Sequence, residues 1–170
     1  IGGHFANFEV PALCAFLQTG LKIDSTYRAP NNPYVHSMLN TIRAVGGQLE
    51  AHAKSSSGGR NLMKAVKEGH NIGILIDQKY NEGINVPFMD RDAMTNPVFV
   101  QLAQKFGHDI VPIRTVRDKN CRFRFIVEKP LEYNSDEAVE SVMERAHIIL
   151  EQWVEEHPEQ WLWLHRRWKD

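Results

Sequence analysis

The sequence predicts an α/β protein with a mixed, largely parallel sheet flanked by helices. Predicted strands alternate with helices of roughly ten residues, an order typical of α/β sandwiches. The run from Asn71 to Ile76 is almost entirely apolar, as in parallel strands that are buried on both faces. At 170 residues the chain is long enough to bury its own core, and it shows no internal repeat. We therefore expect a single domain over 1–170.

The composition argues against several classes of function. The 20 Lys and Arg residues nearly balance the 21 Asp and Glu residues, and no polybasic tail is present. Nucleic acid is therefore not an expected partner. The eight histidines are scattered, and Cys14 and Cys121 are far apart and fit no metal or disulfide pattern. We expect no metal and no other cofactor, and the cysteine usage suits a reducing compartment.

The first predicted helix runs from about Phe8 to Thr19, where apolar residues recur at helical spacing. Asn7 is the predicted N-cap, because Pro11 is tolerated only in the first turn of a helix. Gly20 is a good helix stop. The alternating stretch from Leu21 to Tyr27 then predicts a strand.

A second helix is predicted to begin at Pro33, with Asn32 as its N-cap, and to end at Gly46-Gly47. A short strand from Gln48 to His52 follows. The Ser- and Gly-rich stretch from Lys54 to Gly59 predicts a flexible loop. It lacks the Gly-Lys-Ser/Thr ending that a phosphate-cradling loop needs.

The remaining elements follow from apolar spacing and from glycine or capping residues at their ends. They are a helix from Arg60 to Glu68, the strand from Asn71 to Ile76, a turn at Tyr80 to Gly83, an extended piece from Ile84 to Phe88, a helix from Pro97 to Gly107, strands from Ile110 to Val116 and from Arg122 to Lys129, and a long helix from Asp136 to Glu156. The tail from Pro158 to Asp170 is interpreted as a turn of helix and then extended chain.

The first nine residues hold the strongest catalytic candidates, His4 and Glu9. A spacing of five residues places two side chains roughly 140° apart on a helix. Contact therefore requires His4 before the helix and Glu9 in its first turn. A histidine backed by a carboxylate can take a proton from a hydroxyl. The alternative is an ordinary strand-to-helix turn with a surface histidine and a glutamate favoured by the helix dipole. Gly2 and Gly3 leave room for a backbone turn or for close approach of a substrate.

Three candidate residues each follow a predicted strand, namely His4, Arg28 and Asp77. Functional groups in such sheets gather beyond the carboxyl ends of the strands, so these residues are expected to converge there. Arg28 has the alternative of a salt bridge with Asp24 or Asp77. The alternative for Asp77 is to anchor a neighbouring loop.

Five sequence blocks, in order along the chain, carry a resemblance to a known family. The blocks are Gly-Gly-His4-Phe-Ala-Asn-Phe-Glu9, Tyr27-Arg28-Ala-Pro-Asn-Asn-Pro, Ile42-Arg43 with Gly46-Gly47, Gly73-Ile-Leu-Ile-Asp77-Gln78 with Val86-Pro87-Phe88, and Pro158-Glu-Gln-Trp-Leu-Trp-Leu-His165-Arg166-Arg167-Trp168. Together they resemble the late acyltransferases of lipid A biosynthesis, the lauroyl and myristoyl transferases. These belong to the wider glycerolipid acyltransferase group with a His-x4-Asp/Glu motif. The loop from Met89 to Thr95 departs from the family, replacing the Phe-Gly often found after the strand.

The resemblance implies a glycerolipid-acyltransferase-like α/β sandwich that moves a fatty acyl group from acyl carrier protein to a hydroxyl of a lipid A precursor. His4 would be the general base and Glu9 would orient it, so no Ser or Cys nucleophile is required. Arg28 and Arg43 suit the binding of a diphosphorylated acceptor, because the guanidinium fork matches phosphate. Asp77 is placed with them among the substrate-binding residues. For Arg43 the alternative is a solvated helix position.

The family also implies partners and a location. The expected partners are acyl carrier protein, the lipid A precursor and a membrane surface, at the cytoplasmic face of the bacterial inner membrane. The family's members have an N-terminal hydrophobic anchor, so we expect that anchor and the first elements to be missing from this chain. Arg166 and Arg167 would face phosphate headgroups or the carrier protein, or else belong to a structural tryptophan cluster. The alternative functions are a glycerophospholipid or glycolipid acyltransferase and a non-catalytic lipid- or carrier-binding module.

Overall fold

The computed structural model describes residues 1–44, 51–53, 56–163 and 166–168. The described chain contains five α-helices and seven strands, which confirms the predicted mixed α/β class. It divides into two compact units, which we call unit 1 (Ile1–Phe8 and Leu75–Asp170) and unit 2 (Glu9–Ile74). The single domain over 1–170 stays a prediction. The predicted helix end at Gly46-Gly47, most of the predicted strand from Gln48, and His165 of the C-terminal block lie outside the described residues.

Unit 2 is built on a parallel sheet of three strands in the order β2-β1-β3. Its elements are α1 (Val10–Thr19), β1 (Ile23–Tyr27), α2 (Pro33–Ala44), β2 (Ala51–Ala53), α3 (Ser56–Lys67) and β3 (Asn71–Gly73). The register pairs Ser25 with Ala51 on one side and Ile23 with Asn71 on the other. The parallel pairing predicted from the alternation of strands and helices is thus confirmed in this unit.

The helix ends of unit 2 confirm some capping predictions and correct others. Gly20 ends α1 with a left-handed φ of 74°, and Asn32 accepts a hydrogen bond from the backbone N–H of Tyr34 at 2.9 Å. The prediction of Asn7 as N-cap is wrong, because the residue before α1 is Glu9. Pro11, within the first two positions of this helix, has no backbone N–H, so one of the donors that a cap would serve is absent.

The predicted flexible loop from Lys54 to Gly59 is wrong from Ser56 onward, where α3 begins. Farther along this helix, Ala65 and Val66 are buried. Packing of this face stabilises the helix strongly enough to extend it back through residues of low helix propensity. The predicted strand from Asn71 is also shorter than expected, since β3 ends at Gly73.

The buried core of unit 2 is small, and α2 contributes no buried residue to it. Three of the exposed side chains on α2 are Tyr34, Met38 and Ile42, which are 84%, 55% and 65% exposed. A spacing of four residues places them on one face of the helix. Throughout the described chain, the structure contains no helix both long and apolar enough to cross a membrane.

Unit 1 contains two antiparallel hairpins and the longest helix. Its elements are β4 (Ile84–Phe88), β5 (Arg91–Thr95), α4 (Val98–Phe106), β6 (Ile113–Arg117), β7 (Phe123–Val127) and α5 (Val139–Glu156). The strand β5 was not predicted. Met89 and Asp90, with φ values of 53° and 56°, form the tight turn that folds it back onto β4. Positive φ at both central residues is the conformation that two-residue hairpins favour, and neither residue signals it as a glycine would.

The core of unit 1 lies between α5 and β4. The α5 side chains Met143, Leu150 and Trp153 are fully or almost fully buried, as is Phe88 of β4. His147 is buried with them and its Nδ1 lies 2.6 Å from the carbonyl oxygen of Pro87. Burial is the main cause that lowers the pKa of His147 to about 4. The hydrogen bond to Pro87 raises this pKa, and the nearby positive charge of Arg167 lowers it. His147 is therefore neutral at physiological pH.

The predicted turn of helix at the start of the C-terminal tail is confirmed by a short 3₁₀ turn over Pro158–Gln160, and the backbone of Trp161 directly after it is extended. Farther along, Arg167 is 1% exposed and donates to the carbonyl oxygen of Met94 at 2.8 Å. Its guanidinium lies 5.2 Å from the centre of the Phe88 ring. Burial lowers its pKa to about 10. Arg167 thus takes the structural role, and it fastens the tail to the β4–β5 hairpin.

Candidate active site

The register of a short parallel pairing brings His4 beside Asp77. Gly2 forms a parallel bridge with Leu75, and the backbone N–H of Ile76 donates to the carbonyl oxygen of Gly2 at 3.0 Å. In a parallel pair both chains advance together. Two residues beyond Gly2 is His4, and two residues beyond Leu75 is Asp77. The predicted base and the predicted carboxylate at a strand end therefore meet at the same level of the pairing.

The Asp77 carboxylate accepts three hydrogen bonds. Its Oδ1 lies 2.7 Å from Nδ1 of His4, and its Oδ2 accepts from the backbone N–H of His4 at 2.8 Å and from the indole N–H of Trp161 at 3.0 Å. The Asp77 side chain is 2% exposed, against 14% for His4. Because an ionised carboxylate only accepts, Nδ1 of His4 carries a hydrogen. In the neutral ring, Nε2 then has a free lone pair.

The surroundings keep Asp77 ionised. Burial by itself raises the pKa of this carboxyl group. The hydrogen bonds and positive charge of His4 and the hydrogen bond from Trp161 lower it by more, so the pKa of Asp77 lies below its usual value. Asp77 therefore carries its negative charge at neutral pH, where it can stabilise a protonated His4.

The other ring nitrogen of His4 faces a replaceable partner. The amide nitrogen of Gln78 lies 3.3 Å from Nε2 of His4 and can donate to its lone pair. The ring of Phe8 packs edge-on against the imidazole, with ring centres 4.7 Å apart. The contact between Gln78 and Nε2 of His4 is exposed to solvent, so a substrate hydroxyl can take the place of Gln78 there. This arrangement suits a general base.

The C-terminal tail runs alongside His4 and completes the site. Phe5 forms an antiparallel bridge with Trp161, and the backbone N–H of Leu162 donates to the carbonyl oxygen of His4 at 2.8 Å. The role of Trp161 was missed in the sequence. Its position in a tryptophan-rich block was visible, but the pattern did not indicate which acceptor its N–H would reach.

The two glycines before His4 are used for close packing within the protein. A Cβ on Gly2 would lie 2.9 Å from the carbonyl oxygen of Ile113, and one on Gly3 would lie 3.0 Å from the Phe5 ring. The room predicted at these positions is therefore taken by backbone and side chain. A larger residue at Gly2 would displace the pairing that sets His4 beside Asp77.

In unit 2, two further predicted site residues bind each other. Nε of Arg43 donates to the Glu9 carboxylate at 3.0 Å, and its guanidinium lies 5.2 Å from the centre of the Tyr27 ring. Arg43 is thus paired, and the solvated helix position considered as its alternative is wrong. The role of Glu9 in orienting His4 stays a prediction, as does the binding of acceptor phosphate by Arg43.

The side chain of Arg28 is exposed and has no hydrogen bond or ion pair with the described residues of unit 2. Its alternative, a salt bridge with Asp24, is not formed. Oδ2 of Asp24 instead lies 3.2 Å from Nε2 of His52 and 2.9 Å from Nδ1 of His70. The sequence pattern did not predict this cluster. Acceptor binding by Arg28 stays a prediction.

The geometry of unit 1 defines what the site can do. A buried carboxylate orients an imidazole and leaves its outer nitrogen able to accept a proton, the relation that activates a hydroxyl in serine hydrolases. Within the described ranges, no group of three or more His, Cys, Asp or Glu side chains is placed to hold a metal ion. The site fits proton abstraction from a substrate hydroxyl.

Comparison with known proteins identifies a family for the chain. The family model described as bacterial lipid A biosynthesis acyltransferase matches residues 1–170, the full length of the chain. None of the curated proteins compared with the sequence matches it.

Proposed function

Since the chain belongs to the bacterial lipid A biosynthesis acyltransferase family, we propose that it transfers a fatty acyl group from acyl carrier protein to a hydroxyl of a lipid A precursor, with His4 as general base. Family membership establishes an acyltransferase of lipid A biosynthesis. The observation that supports the proposed chemistry is the 2.7 Å contact between His4 Nδ1 and the buried Asp77 carboxylate.

The proposed reaction is a direct transfer in which Nε2 of His4 removes the proton from the acceptor hydroxyl. The hydroxyl oxygen attacks the thioester carbonyl carbon, and an oxyanion develops on the carbonyl oxygen. As this intermediate collapses, the carbon–sulfur bond breaks. The proton on Nε2 passes to the departing sulfur, so the products are an ester and the thiol of the carrier. General base catalysis of this kind contributes typically 10²–10⁴ in rate.

We assign the support of His4 to Asp77, which holds Nδ1–H and carries the compensating negative charge. Glu9 stays the second proposed catalytic residue, on the strength of the resemblance of its motif to the family's His-x4-Asp/Glu pattern. The contact that it makes within unit 2 is with Arg43. Substitutions at Glu9 and Asp77 therefore test different proposals.

The test is mass spectrometry of a lipid A precursor incubated with the protein and with acyl carrier proteins that carry different chain lengths. We expect one added acyl group, and a loss of at least about 10²-fold in rate for His4→Ala and for Glu9→Ala. His157→Ala is the matched control, because this histidine of unit 1 pairs with Glu159 at 3.5 Å instead of with Asp77. Unchanged turnover in His4→Ala would rule out the mechanism.

The same experiment separates the alternative functions. Acylation of lysophosphatidate but not of the lipid A precursor would favour a glycerophospholipid acyltransferase. Binding of the precursor or of acyl carrier protein without any transfer would favour a non-catalytic module of the same fold.

We also propose that the protein works on a membrane surface, at the cytoplasmic face of the bacterial inner membrane. The support for contact with lipid is the exposed apolar face of α2, formed by Tyr34, Met38 and Ile42. Large exposed apolar side chains on one helix face are typical of surfaces that bind partners or lipid.

A further inference from the structure

An exposed tryptophan stands beside the proposed catalytic pair. Trp163 is 58% exposed, and its ring stacks on Trp161 at an interplanar angle of 14° with ring centres 5.7 Å apart. The indole N–H of Trp161 in turn donates to Asp77, which holds His4. A single stacked ring therefore separates Trp163 from the carboxylate of the catalytic pair.

The exposed ring is held firmly in place. Trp168 packs edge-on against Trp163 with ring centres 5.2 Å apart, and it also stacks on the buried ring of Phe88. The indole N–H of Trp168 donates to the carbonyl oxygen of Phe88 at 2.9 Å. An aromatic ring left in water does not gain the free energy of burial. The Trp163 ring is held at its edge and on one face but stays largely exposed. Such a platform suits a ligand that supplies the missing cover.

A cation lies at the edge of this platform. The guanidinium of Arg91 lies 5.2 Å from the centre of the Trp168 ring. Among the residues that the structure describes, no carboxylate pairs with it. Arg91 also lines a cleft of about 510 Å³ together with Asn85, Asp92 and Met94. The guanidinium in this cleft can bind phosphate. Its amide and carboxylate groups can bind hydroxyls.

We propose that Trp163 binds the apolar face of a sugar ring of the acceptor and that Arg91 binds a phosphate attached to that sugar. This inference rests on the proposed function. A pyranose has one face of C–H groups and a polar edge, which matches an exposed aromatic ring bordered by charged and amide groups. An acyl chain instead favours an enclosed, mostly apolar site. The platform therefore selects the acceptor and positions it near Nε2 of His4, while the acyl donor binds elsewhere.

The experiment measures acyl transfer by the full chain while the concentrations of lipid A precursor and acyl carrier protein thioester are varied separately. For Trp163→Ala we expect the KM for the precursor to rise about tenfold, with less than about a twofold change in kcat and in the KM for the thioester. Trp163→Phe keeps a flat aromatic ring and should restore most of the acceptor affinity. Arg91→Gln should also raise the KM for the precursor. Phe123→Ala is the matched control, because it removes another exposed aromatic side chain of unit 1.

The outcomes separate this inference from the proposed function. If the unaltered protein acylates the precursor but Trp163→Ala leaves the KM for the precursor unchanged, the platform is wrong and the proposed function stands. A rise in the KM for the thioester alone would assign the ring to the acyl donor and overturn the inference. If the unaltered protein does not acylate the precursor, direct binding of the precursor by tryptophan fluorescence still tests the platform. Equal binding by Trp163→Ala and the unaltered protein would then overturn it.

Discussion

Replacement of Asp77 by Asn tests the proposed catalytic pair directly, because it keeps the shape of the side chain and removes its charge. Asp77 accepts from His4 Nδ1–H, from the His4 backbone N–H and from the Trp161 indole N–H. An asparagine has one acceptor oxygen and one donor NH₂ group in the same place. It satisfies the most partners when its oxygen faces the backbone of His4 and Trp161 and its NH₂ faces Nδ1 of His4.

That orientation reverses the tautomer of His4. Nδ1 must then accept a hydrogen bond, so the ring proton moves to Nε2 and the lone pair proposed to accept the substrate proton is lost. The negative charge that stabilises a protonated His4 is lost as well. We therefore expect kcat to fall about 10³–10⁴-fold, which corresponds to about 4–5.5 kcal/mol in the activation free energy.

The assay follows release of the carrier thiol under saturating donor and acceptor. Asp118→Asn is the matched control, since this carboxylate of unit 1 is exposed and pairs with Arg124 at 2.9 Å in the β6–β7 hairpin. Near-ultraviolet circular dichroism of both variants checks that the fold is retained. If folded Asp77→Asn keeps more than about a tenth of the kcat, Asp77 does not set the tautomer of His4, and the assignment of its role is refuted.

Two further predictions concern stability and membrane contact. The pKa of His147 is about 4 in the folded protein against 6.5 for an exposed histidine, so the unfolded chain binds more protons between these values. The contribution of neutral His147 to the free energy of unfolding is therefore fully present above about pH 6.5 and is lost as the pH falls toward 4. Urea denaturation should show a loss of about 2 kcal/mol between about pH 7 and about pH 5, and the same slope in His147→Gln would contradict this origin. For membrane contact, the Met38→Asp, Ile42→Asp double variant should bind phosphatidylglycerol vesicles at least about fivefold more weakly in flotation, whereas Phe123→Asp should not. Equal binding by the double variant and the unaltered chain would exclude this face of α2.

Local sequence signals predicted the elements whose ends carry a specific residue. Gly20 ends α1 because it adopts a positive φ, and Asn32 caps α2 because its side chain accepts a backbone hydrogen bond at the helix start. Elements without such a signal were missed or misplaced. The strand β5 follows a turn of Met89 and Asp90, which do not commonly adopt positive φ, and α3 begins within a Ser- and Gly-rich stretch that predicts a loop.

The candidate site also has features that the sequence predicted and features that only the structure showed. The sequence by itself predicted the α/β class and the family, and it singled out His4 and Asp77 as separate candidate positions. Only the tertiary structure decided that these two bind each other, that Trp161 supports the carboxylate, and that Glu9 pairs with Arg43. Motifs and helix caps act over a few residues and are visible in local spacing. The contact between His4 and Asp77 depends on the register of a parallel pairing across 73 residues of chain, and the packing of the whole unit sets that register.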